Sequence, residues 1–194
     1  MRKAAMLLST IAALAGTALA APSAPPLPRD SVYQSPAHVT DDRSQRYAWN
    51  AMRGRVQLVS MFYTSCKFVC PLIVDGARGV EQSLSAAERA RLGVTLVTLD
   101  PARDTPQALA RMREARELDP ARWTLVRPDP QDVRSVAGLL GIRYRALADG
   151  EFNHTTALVL LDADGRVVAR TERVGGLPDA QFVAAVRKTL AAVQ

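Results

Sequence analysis

VQLVSMFYTSCKFVCP, residues 56–71, is the most informative stretch of this sequence. Its first eight residues, Val56–Tyr63, form a short apolar run that is typical of a buried strand. Two cysteines follow this run. The next apolar side chains recur at the spacing of one helix face, at Ile73, Val74, Ala77, Val80 and Leu84. The sequence therefore predicts a buried strand, then a cysteine pair, then a helix that begins at or near the pair.

Outward from this stretch, strands and helices alternate. Strands are predicted at Val94–Leu99, Trp123–Val126, Thr156–Leu161 and Arg166–Arg170, the last two joined by a turn at Asp162–Gly165. Helices are predicted from a capping box (Ser85, Glu88), from an N-cap and first residue (Thr105, Pro106), and from apolar faces (Leu109, Met112, Leu118; Val133, Val136, Leu139, Leu140; Phe182, Val186, Leu190, Val193). This order predicts an α/β fold with a mixed central sheet flanked by helices. A cysteine pair between the first strand and the first helix indicates a thioredoxin-like fold.

The composition is that of one globular domain. The chain has 194 residues, of which 48% are hydrophobic, and its 11 Gly and 12 Pro exclude a collagen-like or low-complexity chain. Its 2 cysteines exclude a disulfide-rich scaffold and a four-thiolate zinc site within one chain. The net charge is +6, but the arginine-rich segments Arg111–Arg116 and Arg143–Arg145 also contain acidic or apolar residues. They are interpreted as solvated faces, and no nucleic-acid partner is predicted.

The N-terminus carries the pattern of an export signal. Arg2 and Lys3 precede an apolar run that ends in a small-x-small cleavage site, Ala18-Leu19-Ala20. We therefore expect a cleaved signal peptide and a periplasmic protein. The alternative is an uncleaved segment that anchors the protein in the inner membrane. The predicted organisation is a signal peptide at 1–20, a Pro-rich linker at 21–30 and a thioredoxin-like domain at 31–194.

The spacing of the cysteines points to metal or redox chemistry. Cys66 and Cys70 are four residues apart, so in a helical turn their thiols face the same way and can close a disulfide or hold one metal ion. The helix N-terminus and Lys67 both favour the thiolate form. The alternative is a permanent disulfide, which would add little stability because the loop it closes is so small. Thioredoxin-type redox motifs have two residues between the cysteines, and the third residue here leaves room for a metal ion.

A metal ion held by two thiolates needs a further ligand. Thiolates select Cu(I), zinc or iron–sulfur clusters. The chain has 2 histidines, His38 and His154, and His154 precedes the predicted strand Thr156–Leu161, where it could face the cysteines. On spacing alone, such a histidine is more often structural or solvated than a ligand. His38 lies in a poorly patterned stretch and is interpreted as a surface residue.

Three motifs together resemble the Sco/SenC family. They are Thr64–Pro71 with its C-x-x-x-C-P, Thr98–Pro106 (TLDPARDTP), and Asn153-His154-Thr155 followed by Leu161–Gly165. They stand in the order and spacing of that family, whose members are thioredoxin-fold copper proteins that help to assemble the CuA centre of cytochrome c oxidase. The resemblance covers residues 31–194. It implies that Cys66, Cys70 and His154 bind copper.

The resemblance also bears on the two acids of the second motif. It implies that Asp100 tunes the site or contacts a partner, and the alternative is a residue of the turn that enters the next helix. Asp104 is predicted to help cap that helix. In one respect the chain departs from the family, because Val39–Arg55 lacks the expected glycine-centred hairpin.

Two functions follow from these expectations. The first is a metallochaperone that holds one Cu(I) or Cu(II) per chain through Cys66, Cys70 and His154. It would deliver the ion to a copper-accepting oxidase subunit or to another exported cuproenzyme. The second is a thiol–disulfide oxidoreductase, in which Cys66 and Cys70 are a redox-active pair that reduces the metal-site cysteines of the acceptor. The second function needs both cysteines but not His154.

Overall fold

The computed structural model describes residues 25–66 and 69–193. The predicted signal peptide, Met1–Ala20, lies outside this range, as do residues 21–24 of the predicted linker. The first regular element is a short 3-10 helix, Val32–Gln34, with Ser31 as its N-cap. Across the described residues, no helix is both long enough and apolar enough to cross a membrane.

A mixed sheet forms the centre of the protein. Its middle consists of three parallel strands, β3 (Val56–Phe62), β4 (Leu92–Thr98) and β5 (Trp123–Pro128). Antiparallel strands extend it on both sides, β1 (His38–Asp41) and β2 (Arg46–Ala48) beyond β5, and β8 (Leu158–Leu161) and β9 (Val167–Thr171) beyond β3. The order is β2-β1-β5-β4-β3-β8-β9. A separate hairpin consists of β6 (Tyr144–Ala146) and β7 (Phe152–His154).

Helices flank this sheet, which confirms the predicted fold class. They are α1 (Val69–Gln82), α2 (Ala86–Arg91), α3 (Pro106–Ala115), α4 (Val133–Leu139) and α5 (Ala180–Ala192). Helix α1 packs on β3 and β8, α3 on β5, and α5 on β9. Both predicted helix starts are confirmed, because Ser85 and Glu88 form a reciprocal capping box and the Thr105 hydroxyl caps α3 with Pro106 in its first turn.

Strands β3 and β4 place the cysteine motif and the acidic motif at the same edge of the sheet. Every residue of both strands is buried, as expected for parallel strands covered on both faces. The strands pair in register from Val56↔Leu92 to Phe62↔Thr98, so they end at the same edge of the sheet. The chain after β3 carries the cysteines, and the chain after β4 carries Asp100 and Asp104. The fold therefore brings both motifs together at the edge where α/β proteins form their sites.

The N-terminal part has no glycine-centred hairpin, as the sequence indicated, but residues 38–48 form a hairpin of another kind that was not predicted. Strands β1 and β2 pair antiparallel without a glycine in their turn. The Asp41 carboxylate accepts the backbone N–H groups of Arg43 at 2.9 Å and of Gln45 at 2.8 Å, and Ser44 adopts a positive φ of 64°. A side chain thus supplies the turn that a glycine was expected to supply. His38 lies half-buried in β1 rather than on the open surface.

Two residues assigned to buried helix faces are exposed. Leu139 is 40% exposed because it lies six residues after the buried Val133, about 240° around the helix axis, so Ala137 takes the inward position. Val193 is 36% exposed because α5 ends at Ala192. The remaining apolar residues of these two predicted faces are buried.

Candidate metal centre

The two cysteines lie on either side of the start of α1. Cys66 ends the cysteine loop (Tyr63–Cys66), which leaves β3, and Cys70 is the second residue of the helix. The backbone N–H of Cys70 donates to Sγ of Cys66 at 3.4 Å. Cys66 is half-buried and Cys70 is 2% exposed, and both are present as thiols. The structure therefore brings the two cysteines together, with one near the surface and the other beneath it.

The two sulfurs have different electrostatic surroundings. The N–H of Cys70 belongs to the first turn of α1, where the unpaired amides favour negative charge, so it favours the thiolate of Cys66. At Cys70, burial raises the pKa of the thiol, and the nearby groups of Cys66 and Asp104 raise it further. Lys67, the other predicted source of positive charge, lies outside the described residues. Burial therefore favours the protonated thiol at Cys70, whereas the Cys70 N–H places a hydrogen-bond donor against the sulfur of Cys66.

Asp104 holds the cysteine loop against the end of β4. It is 1% exposed, and its carboxylate accepts the backbone N–H of Thr64 at 3.1 Å and the hydroxyl groups of Thr64 and Thr98. The prediction that Asp104 caps the next helix is wrong, because Thr105 performs that task. Its buried carboxylate instead joins the two chain segments that leave β3 and β4.

Asp100 lies in the turn after β4 and forms an ion pair with Arg103. The Arg103 guanidinium also donates to the carbonyl of Gly150, in the turn between β6 and β7. Asp100 is therefore connected through Arg103 to the hairpin that carries His154. It does not line the pocket that contains Cys66 and His154.

His154 is the last residue of β7, in a hairpin that the sequence analysis did not predict. We call this element the histidine hairpin (residues 144–154). A signal for it exists in the sequence, because Asp149-Gly150 is a typical turn pair and Gly150 adopts a φ of 81°. His154 pairs with Tyr144, and Phe152 pairs with Ala146, so these four residues share one face of the hairpin, on which all but Ala146 are half-buried.

Tyr63 attaches the histidine hairpin to the cysteine loop. Its hydroxyl donates to the Glu151 carboxylate at 3.0 Å and accepts the backbone N–H of Phe152 at 3.4 Å. Its ring meets the edges of the Phe152 and His154 rings, with centroids 5.2 Å and 5.9 Å apart. Sequence reasoning did not assign this role, since Tyr63 reads as the last residue of a buried strand. The side chain holds His154 close to the loop that ends in Cys66.

The hydrogen bonding of His154 leaves one ring nitrogen suited to a metal ion. Its Nδ1 lies 3.1 Å from the carbonyl oxygen of Thr155. Because a carbonyl only accepts hydrogen bonds, Nδ1 carries the proton and Nε2 keeps its lone pair. Burial lowers the pKa of His154, and the hydrogen bond to Thr155 opposes this shift. A neutral imidazole with a fixed tautomer is the form in which histidine binds metals.

Cys66 and His154 face one open pocket of about 290 Å³. The pocket is lined by Tyr63, Cys66, Leu147, Phe152, Asn153, His154 and Thr156. Cys70 is not part of this lining and is 2% exposed, although its backbone N–H reaches the sulfur of Cys66. Within the described residues, no three histidine, cysteine or acidic side chains are close enough to hold a metal ion as they stand. Cys66, Cys70 and His154 lie near one another, but their side chains would have to move closer together to bind one metal ion.

The lowered pKa of His154 gives a prediction for the metal-free protein. In an NMR titration, His154 should titrate below the ordinary histidine pKa of about 6.5, because burial disfavours the imidazolium. The unfolded chain then binds the proton more tightly than the folded one. The free energy of unfolding should therefore fall as the pH drops below about 6.5. The His38→Gln variant removes the only other histidine of the chain and so identifies the His154 signal. A titration midpoint of His154 at or above about pH 6.5 would contradict the lowered pKa.

The fold and this pocket together define a class: a thioredoxin-like protein with a Cys-x-x-x-Cys pair beside a histidine. Comparison with known proteins gives the family. The SCO1/SenC family model matches residues 27–191, which is most of the chain. The protein belongs to the SCO1/SenC family, as the resemblance of its motifs predicted.

Individual relatives agree with this assignment. A Stutzerimonas stutzeri protein described as copper-binding is 32% identical over 83 residues, which are 43% of this chain and 40% of that protein. The match thus spans less than half the length of that relative. The structure of copper-bound ScoI from Bradyrhizobium japonicum superposes with a TM-score of 0.67 at 22% identity, over 80% of this chain and 98% of that one. The structure of copper-bound yeast Sco1 superposes with a TM-score of 0.65 at 17% identity, over 81% of this chain and 88% of that one.

Proposed function

We propose that this protein binds one copper ion as cargo through Cys66, Cys70 and His154 and delivers it to a copper-accepting protein. The CuA-bearing subunit of cytochrome c oxidase or another exported cuproenzyme is the proposed acceptor. The observation that carries the proposal is the shared pocket of Cys66 and His154, with the buried Cys70 in hydrogen-bond contact with Cys66. Membership of the SCO1/SenC family and the copper named for three relatives support it.

The donor set fits copper. Two thiolates and one imidazole are soft and intermediate ligands, which Cu(I) and Cu(II) both accept. The Nε2 lone pair of His154 and the ionisable thiol of Cys66 are ready to bind. Cys70 must lose its proton on binding, because its raised pKa keeps it a thiol otherwise. Copper would supply the attraction that makes this deprotonation favourable.

The position of the pocket suits transfer rather than permanent storage. Cys66 is half-buried and Asn153 is exposed, so an acceptor can reach one side of the ion. His154 stands at the end of a three-residue strand in a hairpin outside the main sheet. Such an element can move with little cost to the core, since few of its contacts involve the sheet. We propose that the histidine hairpin closes on the copper ion and opens for transfer.

The proposed cellular location follows from the N-terminal residues. A signal peptide at Met1–Ala20 would place the mature protein in the periplasm, where an exported cuproenzyme acquires its copper. If the segment is not cleaved, it would hold the same domain at the inner membrane. Either form presents residues 31–194 to the same compartment.

A second function, reduction of the acceptor's cysteines, is favoured by the difference between the two sulfurs. The Cys70 N–H supports a thiolate at the half-buried Cys66, which could attack an acceptor disulfide. Cys70 would then displace the acceptor from the mixed disulfide. The acceptor disulfide gains two electrons and ends as two thiols, while Cys66 and Cys70 end as a disulfide. This reaction does not use His154.

Copper stoichiometry of the reduced protein under anaerobic conditions tests the proposal. We expect close to one copper per chain for the wild type and loss of bound copper for Cys66→Ser and Cys70→Ser. His154→Ala should lose copper or change its copper spectrum, whereas His38→Ala, the other histidine, should behave as the wild type. No bound copper in the wild type, or a His154→Ala protein equal to the wild type, would refute the three-ligand site. Reduction of a model disulfide should then be measured instead.

A further inference from the structure

A second depression lies on the other side of His154. It has a volume of about 590 Å³ and is lined by Arg143, Tyr144, Arg145, Asn153, His154 and Thr155. It shares Asn153 and His154 with the pocket that contains Cys66. A molecule seated in this depression would therefore touch a proposed copper ligand.

The outward face of the histidine hairpin is positively charged. Arg145 pairs with Asn153 across the hairpin, so both project from the face opposite to Tyr144 and His154. Arg143 directly precedes β6 and lines the same depression as Arg145 and Asn153. All three side chains are exposed. We call Arg143, Arg145 and Asn153 the basic face.

Carboxylates of the described residues form no ion pair with the two arginines of the basic face. Seven other arginines form ion pairs with carboxylates, whereas Arg143 and Arg145 have no such pair within residues 25–66 and 69–193. The acids of the same hairpin are engaged elsewhere. Glu151 accepts the hydroxyl of Tyr63 at 3.0 Å, and the Asp149 carboxylate accepts the N–H of Glu151 at 3.0 Å in the turn. Each guanidinium thus keeps its N–H donors available for an outside acceptor.

We propose that the basic face is the docking surface for carboxylates on the protein that exchanges copper with this one. The inference rests on the proposed function, because it assigns the partner of the same site. Guanidinium–carboxylate bonds are strong and directional, and complementary charge raises the rate of encounter. Arg143 directly precedes β6 and Arg145 lies in it, and two residues of extended chain span about 7 Å, so the two arginines fit two neighbouring acidic side chains.

Two further features favour a protein partner. Leu147 follows Arg145 by two residues in the chain, is 36% exposed and lines the pocket that contains Cys66. Protein interfaces have an apolar core and a polar rim. Leu147 in the pocket that contains Cys66 would belong to such a core, and the basic face would belong to its rim. Contact at Asn153 would also bring a partner to the hairpin whose movement exposes the copper ion. Docking of the partner and release of the copper ion by His154 would then be coupled through the histidine hairpin.

Binding of a peptide to the copper-free protein tests this inference. The probe is a peptide with a Cys-x-x-x-Cys segment flanked by glutamates, compared with the same peptide carrying glutamines. Reduced wild-type protein at low salt should bind the glutamate peptide more tightly. The Arg143→Gln/Arg145→Gln double variant should raise the Kd for that peptide about tenfold and leave the Kd for the glutamine peptide unchanged. Added salt should reduce the difference between the two proteins.

Arg29→Gln/Arg111→Gln is the matched control, since both arginines are exposed and have no ion pair among the described residues. It removes the same charge and should bind as the wild type does. Equal losses in the two double variants, or equal losses for the two peptides, would overturn the inference. So would binding of anionic phospholipid vesicles that depends on Arg143 and Arg145 without any preference for the glutamate peptide.

The test separates this inference from the proposed function. Peptide binding is measured without copper, so a protein that holds no copper would refute the proposed function and leave the docking result readable. Conversely, the Arg143→Gln/Arg145→Gln variant should keep the copper stoichiometry of the wild type, because neither arginine is a proposed ligand. Normal copper content with no peptide preference would refute the docking surface alone.

Discussion

Asp104→Ala should lower the free energy of unfolding by about 3 kcal/mol, because it leaves buried donors without an acceptor. The Asp104 carboxylate accepts the N–H of Thr64 and two hydroxyl groups, and it is 1% exposed. Water cannot easily replace it at that depth. The amides of the cysteine loop should also exchange faster with solvent, since Thr64 stands two residues before Cys66. Urea unfolding and hydrogen exchange measure the two effects.

Asp100→Ala is the control for this experiment. Asp100 follows the same strand and its side chain is only 10% exposed, but its carboxylate pairs with Arg103, whose side chain is 48% exposed and can be solvated when the carboxylate is removed. An ion pair of this kind contributes about 0–1 kcal/mol, so Asp100→Ala should cost far less than Asp104→Ala. Equal costs for the two variants, or normal exchange of the cysteine-loop amides in Asp104→Ala, would contradict the role given to Asp104.

Gly76→Ala should lower the free energy of unfolding by about 2 kcal/mol, although alanine is the better helix former by about 1 kcal/mol. Gly76 lies in α1, and a Cβ at this position would come within 2.5 Å of the Val174 carbonyl oxygen. That oxygen belongs to the backbone, so it cannot turn away as a flexible side chain would. The helix would have to move away from the segment after β9, and it carries Cys70 with it.

Gly138→Ala makes the same change in α4 with the opposite expected sign. A Cβ on Gly138 would meet no atom within 4 Å, so only the helix propensity changes and stability should rise by about 0.5–1 kcal/mol. Urea unfolding of the two variants measures both values. Stabilisation by both substitutions would show that α1 does not pack against Val174 as closely as described here.

The fold could be predicted because its signals are local and strong. The apolar runs of β3 and β4 have the length and composition of buried strands, and two helix starts are marked by Ser85 and Thr105. The hairpin of β1 and β2 was missed because its turn depends on the Asp41 carboxylate and a positive φ at Ser44. That substitution of a side chain for a glycine leaves no pattern in the sequence.

The candidate site was predictable in its residue types but not in its arrangement. The short spacing of Cys66 and Cys70 in the sequence accounts for their proximity, although only Cys70 lies in α1. The neighbouring position of His154 depends on a two-stranded hairpin and on the contacts of Tyr63, which join residues about ninety positions apart in the chain. Periodicity cannot report such contacts. The role of Asp104 was missed for the same reason, since its partners come from two different strand ends.

The unequal depth of the two sulfurs imposes an order on every exchange reaction at this site. A solute arriving from water, whether a competing thiolate, an oxidant or a chelator, meets Cys66 and His154 before it can reach Cys70. For the proposed copper cargo, the bond to Cys70 would then be the last to break when the ion leaves, because an incoming ligand reaches Cys66 and His154 first. If copper is bound as proposed, the rate at which it leaves should therefore depend on the concentration and identity of the incoming ligand.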